Sequence, residues 1–121
     1  MTAPPQPTIL LIGQDTALGY LLARFAEHSG YHCQVSSDPV PSREIAALQP
    51  AAVIFLSLDL LAHGQGWLAE LARIEAPVLV CASAAEEAQA REMGADFCLL
   101  HPLTYSDFQT ALVAVTAAPG R

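Results

Sequence analysis

The fold is decided by residues 76–102, APVLVCASAAEEAQAREMGADFCLLHP. Val78–Ala82 and Phe97–Leu100 are short apolar runs, a pattern typical of strands that are buried on both faces of a parallel sheet. Between them, Ala84–Met93 is rich in Ala, Glu and Gln and predicts a helix, which Gly94 ends. A strand, a helix and a second strand at this spacing predict a right-handed crossover between two parallel strands.

The same alternation runs through the rest of the chain. Further strands are predicted at Thr8–Ile12, Tyr31–Ser36 and Ala51–Ser57. Further helices are predicted from Asp15 or Thr16 to about Ser29, from Ser42 through Leu48, at Trp67–Ile74 after a loop with Gly64 and Gly66, and from about Thr104 to Ala117. Strands that alternate with helices predict one α/β domain, residues 8–117, whose parallel sheet is covered on both faces. Residues 1–7 are expected to be a flexible lead-in, and residues 118–121 a tail or linker stub.

Composition excludes several classes of function. The chain has 121 residues, a net charge of −7, 53% hydrophobic residues and 14% charged residues, which excludes intrinsic disorder. All five basic residues are Arg and they are scattered, so we expect no nucleic-acid binding by this domain itself and no membrane anchoring. Its apolar runs are too short to span a membrane. Three well-separated cysteines, Cys33, Cys81 and Cys98, and an N-terminus unlike a signal peptide predict a cytoplasmic protein with free thiols.

Two motifs carry a family resemblance. Gly94–Pro102 (GADFCLLHP) is similar to G-A-D-D-Y-L-x-K-P, and Ala76–Ser83 (APVLVCAS) is similar to P-V-I-x-L-[ST]-A, of the response-regulator receiver domains of two-component signalling. Gly66 falls on the glycine of a further family loop. The sequence therefore resembles a receiver domain over residues 8–117. This resemblance implies a flavodoxin-like fold, with a five-stranded parallel sheet of order 2-1-3-4-5.

The sequence departs from that family at the residues of its phosphorylation pocket. Receiver domains hold Mg²⁺ with an acidic pair after the first strand, accept phosphoryl on an Asp after the third, and place a Ser or Thr after the fourth and a Lys-Pro after the fifth. These positions fall on Gly13 and Gln14, on Ser57 (Leu58 if counted back from Gly66), on Ala82 or Ser83, and on His101 and Pro102. The resemblance thus implies a degenerate receiver, or pseudo-receiver, with no cofactor, no Mg²⁺ and no enzymatic activity.

Asp15 and Asp59 leave an alternative open. If residues 57–59 are extended, Ser57 and Asp59 point the same way, and Asp15 with Asp59 could form a displaced acidic pocket in an unorthodox phosphoreceiver. Otherwise Asp15 caps a helix and Asp59 lies in a solvated loop. A third possibility is a small-ligand module that uses the emptied pocket at the carboxyl ends of the strands. In that pocket His101 would be either a pH-dependent cation or a neutral, hydrogen-bonded side chain.

The last helix suggests a contact surface, because it carries one charge, Asp107, and little polar face. We expect an interaction surface formed by Tyr105, Phe108, Leu112, Val113 and Val115, unless the small Ala residues leave only a modest, inert face. Its partner would be a second copy, an attached output domain or another protein. The expected function is a receiver-like signalling module that acts by protein–protein interaction without Asp phosphorylation.

Overall fold

The computed structural model describes residues 7–36, 47, 49–63, 72–73, 75–101 and 103–116. The strands are β1 (Thr8–Ile12), β2 (His32–Ser36), β3 (Ala52–Phe55), β4 (Val78–Ala82) and β5 (Phe97–Leu100). The helices are α1 (Thr16–His28), α2 (Leu58–His63), α3 (Glu87–Glu92) and α4 (Tyr105–Thr116), and a 3₁₀ turn, Ala84–Glu86, precedes α3. No helix in these ranges is long and apolar enough to span a membrane.

The five strands form one sheet in the order β2-β1-β3-β4-β5, and every neighbouring pair is parallel. The predicted fold class and strand order are therefore confirmed. Ile12 at the end of β1 pairs with Ser36 of β2 and with Phe55 of β3. Because all strands run the same way, their carboxyl ends meet along a single edge of the sheet, where ligands bind in open α/β sheets.

The sheet has a core on each face, because successive strand residues point to opposite sides. On one face Ile9, Leu11 and Ile54 belong to a buried cluster that includes residues of α1 and α4. On the other face, Leu10 and Phe55 belong to a cluster with residues of α2 and α3. β1, β3 and β4 are buried almost throughout, which explains why their sequences read as continuous apolar runs.

Side-chain caps start α1, α2 and α4, the last through the Thr104 hydroxyl, which accepts from the Asp107 N–H at 3.1 Å. The Asp15 carboxylate accepts a hydrogen bond from the Leu18 N–H at 3.0 Å, so the prediction that Asp15 caps α1 is confirmed. The Ser57 hydroxyl accepts one from the Leu60 N–H at 3.3 Å at the start of α2. This cap helps explain one error of prediction, since Leu58–His63 is a helix where the sequence suggested a loop.

Other segments match the prediction only partly. The helix expected over Ala84–Met93 is a 3₁₀ turn followed by the short helix α3, whereas the last helix agrees with the prediction as far as the description extends, to Thr116. The helices expected at Ser42–Leu48 and Trp67–Ile74 fall mostly outside the described residues. The same holds for the lead-in up to residue 6, for Gly64, Gly66 and Pro102, and for the tail.

Candidate functional site

The first part of the strand-end edge is formed by Gly13 and Leu56, which follow β1 and β3. The Gly13 N–H donates to the Ser36 carbonyl at 2.8 Å, and the Leu56 N–H donates to the Ile12 carbonyl at 2.9 Å. Gly13 has a φ of +153°, and a Cβ added to it would lie 2.7–2.9 Å from three side-chain atoms of Leu56. Only glycine fits here, because Leu56 occupies the space that a side chain at position 13 would need.

This geometry shows which residue after β3 lies against Gly13. Since Ile12 pairs with Phe55, the next residue of β3 that lies against Gly13 is Leu56, not Ser57 or Leu58. The sequence suggested a strand up to Ser57, but β3 ends at Phe55 and Ser57 turns away to cap α2. Leu56 is 5% exposed and belongs to the core beneath α1.

The second part of the edge is a cavity of about 230 Å³ at the ends of β3, β4 and β5. It is lined by Leu56, Ser57, Leu58, Asp59, Cys81, Ala82, Ser83, Glu86 and His101. The structure therefore brings Ser57, Asp59, Ser83 and His101 together, as predicted for a shared pocket. The His101 N–H donates to the Ala82 carbonyl at 3.2 Å, which fixes the backbone of this segment against β4.

Glu86 is a residue of this cavity that the sequence reasoning missed. Its carboxylate accepts hydrogen bonds from the Ser83 N–H at 3.0 Å and from the Ser83 hydroxyl at 3.1 Å. A Ser followed three residues later by Glu is the usual signature of a helix start, so the pattern is visible in the sequence. The Ser83 side chain is thereby engaged in starting the 3₁₀ turn.

Cys81 also lines this cavity, and its thiol is unreactive near neutral pH. Burial, and then the Asp15 carboxylate, raise the pKa of Cys81 from 9.0 to about 12. The thiolate is the nucleophilic form of cysteine, so this side chain stays protonated and unreactive near neutral pH.

The displaced acidic pocket is not formed as predicted. Asp59 lies in the first turn of α2, so residues 57–59 are not extended as the prediction required. Asp15 lines a different cavity, of about 370 Å³, with Gly13, Gln14, Thr16, Gly19, Tyr20, Ala23 and Val35. Among the residues that the structure describes, no group of three or more His, Cys, Asp or Glu side chains could hold a metal ion.

The predicted interaction surface on α4 is wrong for three of its five residues. Phe108, Leu112 and Val115 are buried in the core of the single chain. Helical spacing placed them correctly on one stripe, but that stripe packs against the sheet and α1. The Phe108 ring lies 5.7 Å from the ring of Phe25. These residues therefore stabilise the domain and are not free to contact a partner.

The other two residues of that predicted surface differ from each other. Tyr105 is partly buried, with its ring 5.3 Å from that of Phe25 and its hydroxyl 3.4 Å from the Ser29 hydroxyl. Val113 is 62% exposed, as predicted. Two further exposed apolar side chains do not belong to α4. They are Tyr20 on α1, which is 65% exposed, and Val35 on β2, which is 54% exposed.

Comparison with protein-family models and with curated proteins gives no match for this sequence. Solved structures do match. The signal receiver domain of a protein described as a LuxO repressor, from Vibrio parahaemolyticus, has a TM-score of 0.71 at 19% identity, over 93% of this chain and 91% of its own. The N-terminal domain of the nisin resistance regulator NsrR has a TM-score of 0.69 at 26% identity, over 92% of this chain and 98% of its own.

A chemotaxis response regulator of Vibrio cholerae, CheY4, has a TM-score of 0.67 at 14% identity, over 91% of this chain and 98% of its own. The chain has the receiver fold of response regulators. The likeness extends over nearly the whole described domain and agrees with the sheet order β2-β1-β3-β4-β5. In this receiver fold, Gly13, Leu56, Ala82 and His101 are the residues that stand at the carboxyl ends of β1, β3, β4 and β5.

Proposed function

We propose that this protein is a receiver-fold signalling module that acts by binding another protein and does not use Asp phosphorylation. The observation that carries the proposal is the contact between Leu56 and Gly13. The Leu56 side chain occupies space at the ends of β1 and β3, beside the positions where the family resemblance places the acidic pair. This packing, and the absence of acidic residues at positions 13 and 14, support a module that does not use Asp phosphorylation.

The residues at this position do not fit Mg²⁺. The ion takes carboxylate and water oxygens in a near-octahedral shell, and Gly13 and Leu56 offer no side-chain oxygen. Asp15, the nearest carboxylate along the chain, is hydrogen-bonded to the N-terminus of α1. Phosphoryl transfer depends on cations that neutralise the charge on the transferred group. Without a metal ligand set, this edge gives little support to that chemistry.

The cavity next to Ser83 and His101 gives the most direct support to the alternative function, an unorthodox phosphoreceiver, because Asp59 lines it. Asp59 therefore remains the residue to test as an unorthodox acceptor. The same cavity, at about 230 Å³, is smaller than the roughly 300–1,000 Å³ usual for small-molecule sites. We therefore favour a protein partner over a small ligand.

An interaction role is supported by the exposed apolar side chains. Tyr20 and Val35 are each more than half exposed and line one cavity, and exposed apolar residues that cluster mark protein contacts. The partner would be an attached output domain, a second copy or a separate signalling protein. The three cysteines are free thiols, which fits the reducing cytoplasm where we place the protein.

The test is intact-mass spectrometry and thermal unfolding after incubation with acetyl phosphate, or with beryllofluoride, in the presence of Mg²⁺. We expect no phosphate adduct and no change in the unfolding temperature. A receiver domain with a complete acidic pocket, treated in parallel, shows that the reagents are active. An adduct that maps to Asp59 and disappears in Asp59→Asn would replace this proposal by the phosphoreceiver.

A further inference from the structure

The outer edge of β2 is open to a further strand within the described residues. Among the strands that the structure describes, β2 is the first of the sheet and pairs only with β1. The His32 N–H donates to the Pro7 carbonyl, and the Ser36 carbonyl accepts from the Gly13 N–H, each at 2.8 Å. Backbone groups alternate in direction along a strand, so those of Cys33 and Val35 point away from β1. An extended segment could bond to both residues.

This edge has few of the features that usually block strand addition. Proteins protect open edges with charged residues, especially Lys, and with Pro. His32–Ser36, HCQVS, contains no Pro, Lys, Arg, Asp or Glu. Val35 is 54% exposed. The edge therefore lacks these blocking residues and has an exposed apolar side chain near its carboxyl end.

A groove lies directly beside this edge. Val35 lines the cavity of about 370 Å³ together with Tyr20 and Ala23 of α1. Tyr20 is 65% exposed, and its ring carries the Arg24 guanidinium 5.9 Å from the ring centre. A side chain of an added strand that lay next to Val35 would enter this groove and cover apolar surface of both residues.

Two carboxylates of the α1 segment would attract a basic partner. Asp15 lines the groove. Glu27 lies further along α1, and burial, and then the Glu27 carboxylate, raise the pKa of the Cys33 thiol to about 11. From the rise per residue of a helix, positions 15 and 27 are about 18 Å apart along the axis of α1, the length of about five or six extended residues. The whole chain has a net charge of −7, which adds to the attraction for a cationic partner and opposes a second copy.

We propose that an extended segment of a partner protein binds along β2, with apolar side chains over Tyr20 and Val35 and a basic residue toward each of Asp15 and Glu27. Main-chain hydrogen bonds to the edge would give affinity, while the apolar and basic side chains would give specificity. This proposal rests on the interaction role proposed above and assigns it a surface. It places the partner on α1 and β2, not on α4.

The probe is a peptide with blocked ends, Arg-Thr-Val-Thr-Val-Thr-Arg, whose alternate residues place Arg and Val on one face. Its binding to the full ¹⁵N-labelled chain is followed by NMR. We expect the amide signals of Cys33 and Val35 to shift on titration and their amide hydrogens to exchange more slowly. A peptide with Glu at both ends should bind more weakly, by about five-fold or more, and high salt should reduce this difference.

Two exposed valines provide a matched pair of variants. Val35→Ser should weaken peptide binding by about five-fold or more, because it removes apolar contact area at the edge. Val113→Ser, on the exposed side of α4, should change binding by less than about two-fold. The circular dichroism spectra and unfolding midpoints of both variants show that the fold is intact.

The proposal is overturned if the peptide gives no saturable change at millimolar concentration, if the shifts fall on α4 or β5, or if Val35→Ser binds as well as the parent chain. Dimerisation through β2 without peptide, detected by sedimentation, would assign the edge to a second copy and overturn the choice of occupant. None of these readouts involves phosphate. If the peptide does not bind, the surface proposed here is wrong but the proposed function is not refuted. If the chain binds the peptide and also forms a phosphate adduct at Asp59, only the proposed absence of phosphorylation is refuted.

Discussion

Replacing Gly13 with Ala tests whether Leu56 closes the end of β1. The added Cβ would lie 2.7, 2.8 and 2.9 Å from Cβ, Cγ and Cδ1 of Leu56, well inside van der Waals contact. Overpacking of this kind costs about 1–3 kcal/mol. The φ of +153° is a glycine conformation, and holding another residue there costs about 1–3 kcal/mol more. We therefore expect Gly13→Ala to lower the free energy of unfolding by about 2–6 kcal/mol.

Two other glycines separate the two contributions. Gly30 has a φ of +88° and no atom within 4 Å of an added Cβ, so Gly30→Ala carries the backbone cost without a collision. Gly19 lies in α1, and an added Cβ would meet Leu56 Cδ1 at 3.8 Å, an ordinary contact. Alanine favours a helix over glycine by about 0.5–1 kcal/mol, so Gly19→Ala should stabilise the protein slightly.

The assay is urea unfolding followed by circular dichroism, with Leu56→Ala alone and combined with Gly13→Ala. Because Leu56→Ala removes the colliding atoms beyond Cβ, the two changes should not be additive, and the coupling should be about 1 kcal/mol or more. If Gly13→Ala costs no more than Gly30→Ala, or if its cost is the same with and without the Leu56 side chain, then Leu56 does not close the site and the main support for our proposed function is lost.

Two further predictions concern the core. Burial, and then Asp15, raise the pKa of Cys81 from 9.0 to about 12, so between these values the folded chain keeps a proton that the unfolded chain loses. The free energy of unfolding should thus fall by up to about 1.4 kcal/mol per pH unit above pH 9. Denaturant titrations should show a smaller fall in Cys81→Ala. An equal slope in both proteins would contradict the burial of the thiol. Phe108→Ala should cost about 3–5 kcal/mol of unfolding free energy and Val113→Glu under about 0.5 kcal/mol, whereas similar small losses would show that Phe108 lies on the surface.

The strands β1, β3, β4 and β5 could be predicted from sequence because each is a short apolar run between residues that break it, whereas β2, HCQVS, is not such a run. The same signal misplaced the end of β3, since Leu56 is as apolar as the strand before it. What ends the strand is the turn in which Ser57 caps α2. A serine before an apolar stretch fits either a strand end or a helix start, so the loop prediction for Leu58–His63 was wrong for a local reason.

The candidate site was predictable to the extent that topology determines it. Parallel strands bring their carboxyl ends together, so Ser57, Ser83 and His101 were expected to be near one another, and they are. Leu56 was missed because an aliphatic side chain gives no chemical signal in a sequence. Its role depends on the missing side chain at Gly13, a relation between two strands that only the three-dimensional structure reveals.

The face of α4 was mispredicted for a related reason. Helical spacing identifies the stripe that contains Phe108 and Leu112, but spacing alone does not say whether a core or a partner covers it. The outer side of α4 carries a single charge, Asp107, and includes the apolar Val113 and Ala114, so charge alone does not separate it clearly from the inner side. The contact between the rings of Phe108 and Phe25 of α1 shows that the core covers this stripe.

Polar groups at the strand ends are already used by the fold. Asp15 and Ser57 cap helices, and the Ser83 hydroxyl donates to Glu86. A phosphoacceptor pocket needs such groups free to bind a metal ion or a phosphoryl group, and here each would have to give up a hydrogen bond that holds the start of a helix or turn. An edge strand has no comparable conflict, because the outward backbone groups of β2 take no part in its pairing with β1. Contact at β2 would therefore leave these hydrogen bonds in place, whereas a phosphoryl pocket built on Asp15, Ser57 and Ser83 would break them.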